Sequence, residues 1–419
     1  MSINIAKRGD FVNKFITEPG RQLSVSRSAG VLVAGGGIAG IAAAIAAARG
    51  GADVVLLERE YCLGGMATLG LVTIYLPLDD GEGNQVIFGI GEELLRLSIE
   101  HGAEAMYPKV WIEGGTLEER KKSRYVTQFN PHLFALRAEK LLCELGVKIL
   151  YGTLAAAVIK GGKRITGVIV ENKSGRSVIE CDSVIDCTGD SDIAHLAGAP
   201  TALHEGGNGL ASWYYYHSDG DVKLKMFGLA DMPKVAETDK KLPQDDPYDN
   251  AKVVSLAPTR FSGVDGEELS EAVIEAHSKM YEDIFSSRDT QPNYVPVTIS
   301  TIPLVRMSRR IDGAYTQDDT ENRVRFEDSI GLTGDWRKAG PCYEIPFRTL
   351  YSAEVTNLLA AGRNISVTDA MWDITRVIPP CAVTGEAAGT AAAMTSDFPS
   401  LDVAALQEKL AAGNVKLHI

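Results

Sequence analysis

The stretch Val31-Leu-Val-Ala-Gly-Gly-Gly-Ile-Ala-Gly40, taken on through Val54-Val-Leu-Leu-Glu58, decides the fold. Val31 to Ala34 are apolar or small, as in a strand buried in a parallel sheet. Gly35, Gly37 and Gly40 follow at GxGxxG spacing, and an Ala-rich helix is expected over Ile38–Arg49. A second apolar strand then ends on Glu58, 18 residues after Gly40. Each part has a task in holding a dinucleotide. Gly35 allows the tight strand-to-helix turn, Gly37 lets backbone approach a pyrophosphate, and Gly40 lets the helix pack closely on the sheet. The helix N-terminus faces the phosphates, and the acid accepts ribose hydroxyls. A glycine-rich loop in an ordinary helical core is the bland alternative. The complete strand–helix–strand context outweighs it.

Working outward, the 419 residues suffice for two or three domains' worth of core. Apolar residues make up 45% and charged residues 23%, the balance of a globular protein. A net charge of −13 argues against nucleic acid or an anionic membrane as partner. No stretch reaches the ~18 uninterrupted apolar residues of a membrane span. The N-terminal Met1-Ser-Ile-Asn-Ile-Ala-Lys-Arg8 leads into no apolar signal region. Six cysteines, none at CxxC spacing, suggest reduced thiols in the cytoplasm, with no metal site and no disulfide framework.

Further along, residues 1–27 read as a polar N-terminal arm with an extended piece at Arg21–Val25. Residues 79–84 are turn-rich and Ile90–His101 has helical periodicity. A helix is expected over Pro131–Leu145, with Asn130 before it and Pro131 in first position. Val147–Leu150, Ala156–Ile159, Ile165–Glu171 and Ser183–Cys187 read as strands, with a hairpin turn at Gly161-Gly162. Residues 201–300 change character: Trp213-Tyr-Tyr-Tyr216, a polar stretch at Asp231–Asn250 read as a solvated loop or lid, then a helix over Gly266–Ser286. Residues 300–350 look strand-rich. A strand-then-glycine follows at Asn357–Gly362, an Ala/Gly-rich helix at Pro380–Met394 and an amphipathic one at Leu401–Lys409. The expected organisation is a discontinuous nucleotide domain (28–78, 130–200 and 340–398), a substrate or cap lobe (79–129 and 201–339), and a C-terminal helix and tail (399–419).

These pieces resemble the FAD-dependent oxidoreductases of the glutathione-reductase-like superfamily, distant relatives of fumarate reductase flavoproteins and thiazole synthases. Five segments carry the resemblance: Gly35–Gly40 with Glu58-Arg59; Cys62-Leu-Gly-Gly-Met-Ala-Thr68; Ile185-Asp-Cys-Thr-Gly-Asp190; Val305–Ile311; and Asn357–Arg363 with Arg376 and Thr384-Gly-Glu-Ala-Ala-Gly389. The resemblance implies an α/β fold, a Rossmann-like FAD-binding domain with parallel sheet and β-meander, and an inserted α+β substrate lobe. It implies non-covalent FAD in extended form. Adenosine would lie at Glu58, beside Gly35, Gly37, Ile38, Ala39, Gly40 and Arg59. Gly64, Gly65, Met66, Ala67 and Thr68 would pass close to the flavin. Ala155, Cys187, Thr188, Gly189 and Asp190 would lie near the ADP half, and Gly362 by the pyrophosphate or ribityl chain. Many related flavoproteins carry Asp after that glycine; here Arg363 follows, and it can pair with a phosphate. The helix near Pro380, with Gly385, Ala387 and Ala388, would aim its free N–H groups and dipole at the flavin's pyrimidine edge.

The implied activity is hydride transfer between flavin N5 and a small polar substrate, a hydroxy, amino or carboxylate compound. Arg306 and Arg310, on one face of a strand-like run with Arg309 on the other, either hold a substrate oxygen group or form an ion-paired sheet edge. Asp369, Asp373 and Tyr343 are the acid/base candidates. Asp369 and Asp373, in an irregular segment with Arg376, can equally serve only to neutralise Arg363 and Arg376. Cys62 lacks the second cysteine of a redox disulfide and reads as a buried small residue. His132 reads as structural; His217, beside Tyr214–Tyr216, either lines a pocket or packs in an aromatic core. A second GxGxxG for a nicotinamide is absent, so the electron acceptor is unnamed: oxygen, a quinone or a protein carrier. A homo-oligomer is compatible with all of this. Two other readings remain open, a biosynthetic or modifying flavoprotein of the thiazole-synthase or tRNA-modifying kind, and a non-catalytic FAD module. The absence of a strongly basic composition argues against tRNA.

Overall fold

The computed structural model describes residues 15–227 and 256–419. The acidic stretch Asp231–Asn250 and residues 1–14 of the arm lie outside the described residues.

The main sheet is built from β1 (Val25–Ala34), β2 (Val54–Leu57), β3 (Lys148–Leu150), β4 (Leu154–Gly161), β5 (Arg164–Asn172) and β6 (Gly175–Asp186). A second sheet contains β7 (Ser212–Ser218), β8 (Asp221–Phe227) and β9 (Val295–Ile299), and the short strand β10 (Leu358–Ala360) returns to the first. The order of the main sheet is β3-β2-β1-β6-β5-β4, with β10 beside the second half of β6. β3, β2, β1, β6 and β10 run parallel; β5 and β4 turn back as an antiparallel meander on the first half of β6. The fold is thus mixed α/β with a Rossmann-like parallel sheet. Side chains alternate across it, as the two-residue period of a strand requires. Val31, Val33 and Leu56 join one core with the helices; Leu32, Ala34, Val55 and Leu57 join another on the opposite face.

The helices of seven residues or more among the described residues are α1 (Ile38–Arg49), α2 (Gly89–Ile99), α3 (Pro131–Glu144), α4 (Gly266–Thr290), α5 (Asp369–Thr375), α6 (Ile378–Ala392) and α7 (Val403–Ala412). Asn130 caps α3, its Oδ1 accepting from the backbone of His132 and Leu133 at 3.1 Å. α1 and α6 cross face to face because α6 offers glycines there. A Cβ on Gly385 would stand 2.3 Å from the Ala39 carbonyl oxygen, and one on Gly389 2.2 Å from that of Ala43. Residues of 79–129, expected in the cap lobe, contribute Val86, Ile87, Ile90, Leu94, Leu95, Trp111, Tyr125 and Phe129 to the same core as α1 and α6.

Three local expectations change. The strand-rich reading of 300–350 shrinks to Arg309–Ile311, Ser329–Gly334 and Cys342–Pro346. Arg306 therefore precedes its strand instead of sharing a face with Arg310; Pro303 and the side chain of Asn208, whose Oδ1 accepts from Arg306 N and Met307 N at 2.9 and 3.0 Å, hold this segment irregular. Asp369 to Thr375, read as irregular, form α5, capped by Thr368. β1 begins at Val25 and not at the expected Val31, so residues 25–27 of the arm already belong to the first strand.

Candidate active site

The carboxyl ends of four parallel strands open onto one edge of the sheet. The backbone shows the convergence: Gly35 N donates to Leu57 O at 2.9 Å, Cys187 N to Ala34 O at 2.8 Å, and Ala361 N to Asp186 O at 3.0 Å. Every loop leaving this edge reaches a cleft of about 340 Å³. Ligands of open α/β sheets bind at such an edge.

The near wall is a cradle without side chains. Gly35 has φ +103°, and a Cβ on it would lie 2.4 Å from Cys187 O. A Cβ on Gly37 would meet nothing within 4 Å, so that backbone faces open space. No side chain caps α1 at Gly37, and the first-turn N–H groups of Ile38, Ala39 and Gly40 have no partner one turn back in the helix. Gly40 itself packs: its Cβ would sit 1.8 Å from Gly35 O, and it stands off the cleft wall. The second glycine loop is stitched to the first, Gly64 N donating to Gly36 O at 2.8 Å. Gly64 and Gly65 have φ +101° and +52°, and Gly65 lies against Gly37. Met66 and Ala67 line the cleft, whereas buried Thr68 closes the loop from behind by donating to Leu63 O at 2.6 Å.

Glu58 is buried beside this cradle and accepts from Gly36 N and Glu60 N, both at 2.8 Å. Burial pushes its carboxyl above the usual range, against the two backbone bonds and Arg59. Arg59 is half-exposed and pairs with Glu60 at 3.7 Å. Ala155, Cys187, Thr188, Gly189 and Asp190 complete this part of the wall. Taken together, a capless helix N-terminus, two side-chain-free loops and a buried carboxylate fit an extended dinucleotide such as FAD.

Gly362 and Arg363 stand opposite. Arg363 Nη2 pairs with Asp190 at 2.7 Å and its Nη1 donates to Val305 O. A Cβ on Gly189 would collide with this guanidinium at 2.8 Å. The arginine expected to meet a phosphate thus already has a carboxylate partner.

The catalytic candidates separate into two groups. Arg306 and Arg376 line the cleft. Between them sits Asp373, which is buried and off the wall. Its Oδ1 accepts from Arg306 Nη2 at 2.6 Å and from Arg376 Nε and Nη2 at 3.0 and 2.6 Å; its Oδ2 accepts from Arg337 Nη1 at 3.2 Å. Burial works to raise the Asp373 carboxyl, but Arg376, Arg306 and Arg337 prevail and hold it below the usual range. Arg337 also pairs with buried Asp335 at 2.9 Å. Trp336, between them in sequence, reaches the cleft and donates its Nε1–H to Asp373 O at 2.9 Å. Arg310, Asp369 and Tyr343 lie outside the cleft lining. Arg310 stands over the Trp372 ring at 5.8 Å, Asp369 pairs with His204 at 2.9 Å, and Tyr343 donates to Asp319 O at 3.1 Å.

α6 begins at the cleft with Val377 and Ile378, but its next two residues are Pro379 and Pro380. Of the first three helical positions only Ile378 carries an N–H. The dipole of α6 points at the cleft with one donor, not the usual set. Gly385, Ala387 and Ala388 are buried away from the cleft wall, Gly385 on α1.

Sequence reading did not single out Asp335, Trp336 and Arg337, or the apolar wall described below. Asp335-Trp-Arg337 follows the strand Ser329–Gly334, and nothing in its spacing points to Asp373, 36 residues on.

A sequence profile described as FAD dependent oxidoreductase matches residues 30–410. Digeranylgeranylglycerophospholipid reductase 2 of Methanothermobacter thermautotrophicus is 29% identical over 182 residues, which are 41% of this chain and 43% of that protein. The match therefore spans less than half of that relative's length. Among solved structures, a geranylgeranyl bacteriochlorophyll reductase-like protein of Thermoplasma acidophilum is 15% identical with TM-score 0.46, covering 93% of this chain and 84% of that one. A p-nitrophenol 4-monooxygenase of Pseudomonas putida is 10% identical with TM-score 0.47, covering 91% and 82%. Among the described residues no helix is long and apolar enough to cross a membrane.

Proposed function

We infer the activity of this chain from its family: it belongs to the FAD-dependent oxidoreductases, and its cofactor is FAD. The reaction proposed is transfer of a hydride between a small hydroxy, amino or carboxylate compound and flavin N5. The observation that carries this reading is one cleft lined both by the glycine cradle and by Arg306 and Arg376.

FAD, when bound, supplies the two-electron chemistry. The chain's own residues position and polarise. The first turn of α1 and the loop at Gly35–Gly37 would receive the pyrophosphate, and Gly64-Gly65 would pass close to the flavin. Glu58 accepts ribose hydroxyls through lone pairs not taken by Gly36 and Glu60. Arg306 and Arg376 orient an oxygen group of the substrate, and Asp373 fixes both guanidiniums in place before substrate arrives, so little reorganisation is left for the reaction. Asp373 stays ionised among three arginines and is a positioning residue, not an acid. Ala211, Trp213, Gly263, Leu269, Ile302 to Arg306 and Trp336, all within the inserted stretch, supply the substrate side of the wall.

The test is an anaerobic absorbance spectrum of the purified protein, followed by titration with hydroxy acids, amino acids and polyols. A flavin band that bleaches with one class supports the reading. A flavin band that none of them bleaches overturns hydride transfer from such compounds. A protein without a flavin band after FAD is supplied overturns the site assignment.

A further inference from the structure

The cleft's two walls differ in chemistry. Past Gly64-Gly65 the lining turns apolar: Leu69 and Val72, bonded back to Gly65 and Met66, are joined by Ile74, Trp213, Ile302 and Leu304. These come from three separate segments, so the apolar surface is a product of the fold and not of one hydrophobic run. Trp213 packs in a small core of its own with Leu71 and Tyr215, against Val72 and Leu304. The segments are pressed together: a Cβ on Gly70 would stand 3.0 Å from the Leu304 side chain. Behind them a cavity of about 30 Å³ shares Leu269 and Ile302 to Val305 with the cleft, so the apolar surface continues inward.

The flavin ring, expected beside Gly64–Thr68, takes part of this apolar surface; a small, wholly polar substrate would bury none of the rest. Arg376 lines the same cleft, and its bonds to Asp373 use Nε–H and one Nη group of a side chain with five donors. Planar N–H forks of this kind suit a carboxylate.

We propose that the substrate is an amphipathic acid. Its carboxylate lies at Arg376 and Arg306, and its body, aromatic or aliphatic, lies along the wall of Val72, Trp213, Ile302 and Leu304. The proposal rests on the flavoenzyme reading above and narrows its substrate class.

The test uses the full-length holoprotein and the straight-chain carboxylates from butanoate to decanoate as probes. Binding is read by tryptophan fluorescence, since Trp213 and Trp336 line the cleft, and flavin absorbance is recorded on the same samples. Affinity is expected to rise about fourfold per added methylene, the value for full burial, until the wall is covered. An alcohol of equal length is expected to bind about tenfold more weakly than the acid. Arg376→Gln should remove that preference and keep the chain-length slope. Leu304→Asn should flatten the slope and keep the preference; Val72→Thr serves the same end should Leu304→Asn fail to fold. A flavin band with affinity that is flat along the series overturns this inference alone. A slope in a protein that retains no flavin overturns the flavoenzyme reading on which the substrate assignment rests, and the assignment with it.

Discussion

Replacing Gly385 by Ala sets two effects of known sign against each other. Alanine in a helix interior is favoured over glycine by up to about 1 kcal/mol, so propensity alone predicts a more stable protein. The tertiary structure predicts the opposite. The new Cβ would lie 2.3 Å from the Ala39 carbonyl oxygen, about 1 Å inside the 3.4 Å at which ordinary contact begins, with Ala42 Cβ at 2.9 Å. The obstacle is backbone and has no rotamer to change. α1 and α6 must therefore separate along their crossing, and overpacking of a filled interior costs about 1–3 kcal/mol. With the clash at the upper end of that range, the net loss is about 2 kcal/mol. For 419 residues unfolding at about 2.1 cal/mol/K per residue, each kcal/mol moves the midpoint by about 1 °C. A drop of about 2 °C in the thermal midpoint is expected. Ala39 belongs to the first turn of α1 and lines the cleft, so a 1 Å displacement should also weaken FAD by about tenfold or more, measured by flavin fluorescence. Gly266→Ala, at the first position of α4 with nothing within 4 Å, is the control and should be neutral or slightly stabilising. A Gly385→Ala protein at least as stable as the parent, with unchanged FAD affinity, would refute the crossing as the reason for glycine there.

Asp373→Asn keeps the shape of the side chain but leaves Arg306, Arg337 and Arg376 around a neutral amide; a loss of about 3–5 kcal/mol is expected, and chloride should restore more of it than it adds to the parent, as midpoints at low and high salt will show. Glu386, buried in α6 and accepting from Ile90 N at 2.8 Å, has its carboxyl pushed up to about 8 by burial. The folded state therefore holds a proton that the unfolded chain has released, and stability should fall by on the order of 4 kcal/mol as pH rises from near 4.5 to near 8. Glu386→Gln should flatten that part of the stability–pH curve, and an unchanged slope in denaturation midpoints across this window would remove Glu386 as its source.

Local sequence determined the cofactor half of this protein. The apolar run Val31–Ala34, the glycines at 35, 37 and 40, and Glu58 lie within one strand–helix–strand unit. Their geometry follows from backbone rules that act over a few residues: a positive φ at Gly35, a helix start at Ile38, a strand end at Leu57. The same holds for Asn130 as a cap and for the FAD resemblance across the chain. What chain neighbours do not fix was decided only by the tertiary structure. Arg306 and Arg310, four positions apart, part company because Arg306 is drawn to Asp373 while Arg310 lies over Trp372. Asp335-Trp-Arg337 reaches Asp373 only because two distant segments meet beside the cleft. The reason is the range of the forces. Dihedral preference and hydrogen-bond period are written locally, whereas a buried charge takes whichever partner folding brings within a few ångströms, and an apolar wall is assembled from whatever segments that folding presses together.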